Sequence, residues 1–158
     1  MTNYKNSAKF IYRCTDCGKE YDGLQTLYLC PDCSAKNELG KPQLGVLQTL
    51  YDYKKLKKDV CTYANLKKSG FIDLLPFEDL KSLPFLRVGN TPMYSISNLD
   101  GERLPFNLFL KDDSQNPTFS FKDRASAVVS AYAKEKGYET IVTASTGNAG
   151  SSLAGLCA

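Results

Sequence analysis

The sequence contains no histidine. That absence removes the commonest general base and the commonest nitrogen ligand to a metal, so proton transfers fall to lysine, carboxylates, tyrosine or a cofactor. No apolar run approaches the ~20 residues of a membrane-spanning helix. The first residues, Met1 to Ser7, lack the apolar centre of a secretory signal. From these two absences we expect a cytoplasmic protein with no membrane partner. A strong charge is missing as well. The formal net charge of +3 is too small to argue for a nucleic-acid partner on its own. What remains is the composition of a globular protein, with 158 residues, 42% hydrophobic and 23% charged. This length fits one ordinary domain, or a small domain plus part of another.

Six cysteines without a signal sequence call for metal or thiol chemistry before disulfides. Four are organised. A strand over Lys9 to Arg13 leads into Cys14-Thr15-Asp16-Cys17-Gly18, and Leu27-Tyr28-Leu29 leads into Cys30-Pro31-Asp32-Cys33-Ser34. Two such knuckles let Cys14, Cys17, Cys30 and Cys33 meet at one tetrahedral centre, and the turn after each pair offers N–H groups to sulfur. Zinc is the default ion, and iron of the rubredoxin type uses the same knuckles. Residues 8–38 are therefore expected to form a zinc ribbon whose structural metal supplies most of the folding energy. Cys61 and Cys157 stand in helical contexts and read as small core residues.

Residues 39–85 read as a connecting strand and helices. Gly45 to Tyr53 alternates well enough for a strand, with Val46, Leu47, Leu50 and Tyr51 as its apolar members. The run Lys54-Lys55-Leu56-Lys57-Lys58 could mark an RNA-binding patch. The spacing of Leu56, Val60, Tyr63 and Leu66 instead predicts one helix with its lysines in solvent. Short proline-punctuated structure follows from Phe71 to Leu83.

From Phe106 the pattern is strand, turn, helix, strand, turn, helix. The elements are Phe106–Lys111, Ser120–Lys136, Thr140–Ala144 and a helix from about Asn148. Such alternation predicts a parallel sheet covered by helices, with ligands at the carboxyl ends of the strands. Ser120-Phe121-Lys122-Asp123 has the form of a capping box, and the helix should bury Ala125, Val128, Val129 and Tyr132 before stopping at Gly137. Lys122 then sits among free N–H groups at the positive end of a helix, which disfavours its ammonium form and favours a nucleophilic amine. A Schiff-base lysine needs that state. Ser145-Thr146-Gly147-Asn148-Ala149-Gly150 opens the last helix with hydroxyls and backbone N–H groups, an anion site better suited to a carboxylate than to a triphosphate.

The stretch Asn116-Pro117-Thr118-Phe119-Ser120-Phe121-Lys122-Asp123-Arg124 resembles the cofactor-lysine motif of the fold-type II enzymes that use pyridoxal phosphate. It is most similar to the threonine synthase branch, with Phe119 where that family usually has Gly or Ala. Gly89-Asn90-Thr91-Pro92 with the extended Met93-Tyr94-Ser95-Ile96 resembles the segment that opens the domain, a preceding Leu-Leu-Pro like Leu74-Leu75-Pro76 also occurs in threonine synthases, and Ser145 to Ala149 resembles the family's asparagine loop. The resemblance implies that Lys122 is catalytic and holds the cofactor, and that Asn148 contacts the cofactor's 3′-hydroxyl. It also implies that Ser145, Thr146 and Gly147 bind the carboxylate of an amino-acid substrate.

The implied fold class is α/β, a zinc ribbon followed by the first part of a three-layer fold-type II domain. Residues 86–158 would form an incomplete N-terminal portion of that domain, with the glycine-rich phosphate loop and the partner of the pyridine nitrogen outside it. The implied activity of the intact enzyme is that of a lyase making L-threonine and phosphate from O-phospho-L-homoserine and water, with this chain alone inactive. Cysteate synthase and threonine dehydratase share the fold type, and the ribbon favours threonine or cysteate synthase over the dehydratase. A zinc-ribbon binding module without catalysis and a non-catalytic remnant of the fold are the alternatives of other classes.

Overall fold

The computed structural model describes residues 8–25, 27–59 and 62–158. The chain divides into two compact units, one ending at Pro76 and the other running from Phe77 to Ala158.

The first unit is built on an antiparallel sheet of β1 (Phe10–Cys14), β2 (Glu20–Asp22) and β3 (Leu47–Tyr51) in the order β2-β1-β3. Tyr12 stands opposite Tyr21 on one side and Thr49 on the other. The strand expected at Gly45–Tyr53 is β3. The stretch predicted as a connector thus gives a strand to the sheet that carries the first cysteine knuckle, because β1 leaves an edge that needs a partner. The second knuckle runs into a short helix, α1 (Pro31–Ser34). Phe10, Cys14, Cys30 and Cys33 are the buried apolar side chains of this unit among the described residues. Phe10 meets Tyr12 edge-on at 5.3 Å and Tyr51 at 5.6 Å.

The single helix expected after β3 is two helices, α2 (Tyr53–Asp59) and α3 (Tyr63–Lys68). Thr62 is the reason. Its extended backbone and its side chain, which accepts the N–H of Asn65 at 3.2 Å, start a new helix. Tyr63 is exposed rather than on a buried face. Val60 and Cys61 lie outside the described residues.

The second unit opens with a hairpin of β4 (Met93–Leu99) and β5 (Glu102–Lys111), whose register pairs Leu99 with Glu102. Asp100 and Gly101 turn the chain with φ of 50° and 84°, the left-handed pair of a type I′ turn. This overturns the expected strand order. β5 pairs antiparallel with β4 rather than within a parallel sheet, and residues 140–145 form no strand, having no ladder partner among the described residues. The structure is mixed α and β, and the parallel layer expected from the sequence does not form within it.

Helices α4 (Lys122–Glu135) and α5 (Asn148–Cys157) pack on each other. The buried residues of α4 are Asp123, Ser126, Ala127, Ala131 and Ala133, whereas Ala125 and Val129 are exposed. Small side chains let the backbones approach, and proximity selects them over the larger apolar set that periodicity pointed to. A Cβ added at Gly155 would come within 2.8 Å of Thr118 Cγ2. α4 ends as expected at Gly137, where Gly137 and Tyr138 donate to the carbonyls of Lys134 and Ala133. Its last turn also anchors the segment before the hairpin, since the Glu135 carboxylate accepts the N–H groups of Glu78 and Asp79 and the hydroxyl of Ser82. Cys157 is exposed, not a core residue.

Gly45 joins the two knuckles. Its N–H donates to Asp16 Oδ2 at 2.7 Å and its carbonyl accepts the N–H of Cys30 at 2.7 Å. It does so at φ 86°, and an added Cβ would stand 3.1 Å from both Cys30 O and Ser34 N. Gly45→Ala should therefore lose about 1–2 kcal/mol from backbone strain alone, with crowding against backbone atoms adding to it. A fall in the urea midpoint of the metal-loaded protein, with no change in m-value, is the expected result.

Candidate functional site

Cys14, Cys17, Cys30 and Cys33 converge, their sulfurs all within 4.8 Å of one another. Cys14 and Cys33 are 3.8 Å apart, as are Cys17 and Cys30. Four sulfurs held tetrahedrally about 2.3 Å from a zinc ion stand about 3.8 Å from one another. The donor set and its spacing thus fit a tetrahedral metal ion. Cys14, Cys30 and Cys33 are buried and Cys17 reaches the surface.

The knuckles are shaped by backbone bonds. Gly18 N–H donates to Cys14 O and Cys14 N–H to Lys19 O, closing the first, while Ser34 N–H donates to Cys30 O in the second. Val46 O accepts both the N–H and the hydroxyl of Thr15, which fastens the first knuckle to the strand side. The sulfurs are electrostatically unequal. The Tyr21 hydroxyl, 3.0 Å from Cys30 Sγ, holds the Cys30 thiol down at about 6. Cys17 and burial push Cys33 up to about 12.

In the second unit Lys122 begins α4, directly after the turn from Asn116 to Phe119, in which Phe119 N–H donates to Asn116 O at 2.9 Å. The expected capping box forms in a displaced way. Ser120 Oγ accepts the N–H of Lys122, but the Asp123 carboxylate reaches back past Ser120 to the N–H and hydroxyl of Thr118. Asp123 is fully buried. Burial pushes its carboxyl up, and hydrogen bonds from Ser152 and Thr118 more than reverse this, leaving it below the ordinary value. Lys122 is half-buried, its Nζ 4.4 Å from the centre of the Phe121 ring.

A second carboxylate fixes the other side of the turn. Asp113 accepts from Arg124 through both oxygens at 2.7 Å, and Thr91 Oγ1 donates to its Oδ1 at 2.7 Å. Lys111 Nζ donates to Thr91 O. Asn116 accepts the N–H of Gly89 and donates to Asp113 O. The Gly89–Thr91 turn, the Asp113–Asn116 turn and the start of α4 are one hydrogen-bonded assembly.

Asn148 is the first residue of α5, and Ser145, Thr146 and Gly147 precede it, all exposed. Ser145 Oγ accepts the N–H of Gly147, and a Cβ at Gly150 would stand 2.5 Å from Ser145 O, so the loop is folded tightly on its helix. Ser126 and Ser152 touch through their hydroxyl oxygens at 2.8 Å. Each lies one helical turn after Lys122 and Asn148 respectively, so the two first turns flank one contact. A groove of about 1210 Å³ in this unit lies elsewhere. Leu83, Phe85, Tyr138, Ile141 and Leu156 line it, and neither Lys122 nor Asn148 does.

Residues 85–158 match the family described as pyridoxal-phosphate dependent enzyme. Among curated proteins the chain is similar to the threonine synthase of Methanocaldococcus jannaschii, with 35% identity over 91% of this chain and 34% of the relative. It is similar to the threonine synthase of Methanosarcina acetivorans at 33% identity, over 90% of this chain and 33% of the relative. The 2-amino-4-ketopentanoate thiolase beta subunit of Acetoanaerobium sticklandii is 26% identical over 77% of this chain and 26% of that protein. The chain spans about a third of the length of the threonine synthases it matches. No solved structure matches it. Among the described residues no helix is long and apolar enough to cross a membrane.

Sequence reasoning missed Gly45, Tyr21 and the Asp113–Arg124 pair. Gly45 was legible as a glycine between polar and alternating stretches. The other two depend on strand register and turn geometry that spacing alone does not fix. Phe119 is explained by its backbone, because at φ 58° it occupies the left-handed region that glycine favours, with its ring exposed.

Phe119→Gly should raise stability by about 0.5–1 kcal/mol, as relief of strain outweighs the extra freedom of the unfolded chain. Urea unfolding of the two proteins at equal concentration measures it. Asp113 makes the pH prediction. The Arg124 guanidinium, with Thr91, holds its carboxyl well below the ordinary 3.8. A lowered folded-state value gives stability that is complete above the ordinary value and lost as pH falls toward the folded one. Between about pH 5 and pH 2 the wild type should lose more of its urea midpoint than Asp113→Asn.

Proposed function

We propose that the chain is part of a threonine synthase-like lyase dependent on pyridoxal phosphate, carrying a structural zinc ribbon. The observation that carries the reading is the Lys122 turn. A lysine at the start of a helix whose entry turn is held by two carboxylates, Asp123 on Thr118 and Asp113 on Arg124, stands in a stretch that matches the cofactor-dependent family. The residues present fit the cofactor. Lys122 supplies an amine, Asn148 an amide, and the loop at Ser145–Gly147 hydroxyls and N–H groups at the positive end of a ten-residue helix.

In this reading Lys122 holds the cofactor through Nζ, and Asn148 orients its ring through the 3′-hydroxyl. Ser145, Thr146 and Gly147 receive the substrate carboxylate. When bound, pyridoxal phosphate supplies the electron sink. Lys122 Nζ would carry the protons, taking them from Cα and Cβ of O-phospho-L-homoserine as phosphate leaves Cγ and returning them to Cγ and Cα as water adds its hydroxyl at Cβ and gives up its own proton, which completes threonine. Asp123 and Asp113 keep the turn that carries Lys122 in place, so the lysine acts from a fixed base. Cys14, Cys17, Cys30 and Cys33 hold zinc, which supplies the folding energy that the small interior around Phe10 does not.

In this chain the phosphate group and the pyridine nitrogen of the cofactor have no assigned partners. The 158 residues alone should therefore bind pyridoxal phosphate weakly and release no phosphate from O-phospho-L-homoserine. Mixing purified chain with pyridoxal phosphate should give a weak visible absorbance that Lys122→Ala abolishes. An absorbance unaffected by that substitution would rule Lys122 out. Turnover by these residues alone would show that the site is complete within them. Metal analysis of protein purified without chelator should find about one zinc per chain, and absence of stoichiometric metal would remove the ribbon reading.

A further inference from the structure

We propose that Tyr21 is a positioning residue of the four-cysteine centre, its hydroxyl donating to the Cys30 thiolate and so setting both the affinity for the metal and the electron density on that sulfur. The inference rests on the metal-site reading above. Tyr21 Oη lies 3.0 Å from Cys30 Sγ, inside hydrogen-bond range for sulfur. A metal-bound cysteine sulfur has no proton, so the hydroxyl is the donor.

Four thiolates around a divalent ion leave the cluster with excess negative charge. Burial of Cys14, Cys30 and Cys33 makes that charge costly unless donors face it. Cys30 is the most deeply buried of the four, with no exposed surface, and it is the sulfur that Tyr21 reaches. The approach is built into the fold. Tyr21 is the middle residue of β2, paired in register with Tyr12 of β1, and it packs with Leu47 against the buried cysteines. Lys19 stands 5.6 Å from the Tyr21 ring and is held by Asp32 at 2.7 Å, so a cation backs the ring from the loop that leads into β2.

The test uses the 158-residue chain loaded with zinc, cobalt(II) or cadmium-113. Tyr21→Phe keeps the ring and removes the donor. It should weaken zinc binding, measured by competition with a chelator, by about 10–100-fold. In the cobalt form the sulfur-to-metal charge-transfer band should move to lower energy, because a sulfur without its hydrogen bond gives up its electrons more readily. Tyr28→Phe, at a tyrosine 87% exposed, should change neither quantity. If Tyr21→Phe does not fold, the wild type still decides. In the cadmium form the Tyr21 hydroxyl proton should show scalar coupling to the metal across the hydrogen bond, and absence of that coupling overturns the inference. An unchanged affinity and band in Tyr21→Phe overturn it equally. Failure of the wild type to bind any of the three metals would instead overturn the metal site itself.

Discussion

A carboxylate stripped of water must be given donors, and the second unit is arranged around one that is. Asp123 is fully buried and takes hydrogen bonds from the N–H and hydroxyl of Thr118 and from Ser152. Those bonds determine where the chain goes. They close the turn from Asn116, they set the first residues of α4, and they bring in α5. Lys122, one residue before Asp123, inherits its place from that arrangement. Removing the carboxylate would leave the N–H and hydroxyl of Thr118 in need of new partners.

The first unit meets a parallel constraint with sulfur. Its apolar interior is small: among the described residues the buried apolar side chains are Phe10 and three of the four cysteines. A cluster of thiols is a poor core without something to coordinate, so the knuckles, Gly45 and β3 serve mainly to hold the sulfurs at a fixed spacing. In both units a polar centre does what a larger hydrophobic core does elsewhere. That explains why small residues, Ser126, Ala127, Ala131 and Ser152, fill the contact between α4 and α5.

Much of this was readable in the sequence. The cysteine pairs announced their convergence by spacing, and the Lys122 motif announced a turn leading into a helix, because both signals are local. The sheet order was not local. Phe106 to Lys111 reads as a strand from its own residues, but its partner follows from Asp100-Gly101, a two-residue turn signal that the β-α-β-α pattern overrode. Thr140 to Ala144 has strand-like residues and no neighbour within the described chain, and propensity without a partner does not make a strand. The expected face of α4 was right only in part, since Val128 and Tyr132 are half-buried but Ala125 and Val129 are exposed, for a related reason. Periodicity marks apolar residues, while the space between two close helices selects small ones.

The hairpin of β4 and β5 also bears on the order in which this chain takes shape during synthesis. Its register is set at Leu99 and Glu102, across a turn of two residues, so closing it needs no distant contact. Hairpins close in about 1–10 μs, whereas a ribosome adds about 5–20 residues per second. From the time Lys111 leaves the ribosome, the hairpin can open and close many thousands of times before Asp113 has Arg124 to pair with. A two-stranded hairpin is only marginally stable alone. It would flicker as a template until that ion pair arrives, and the segment bearing the lysine would fold onto strands that are already in register.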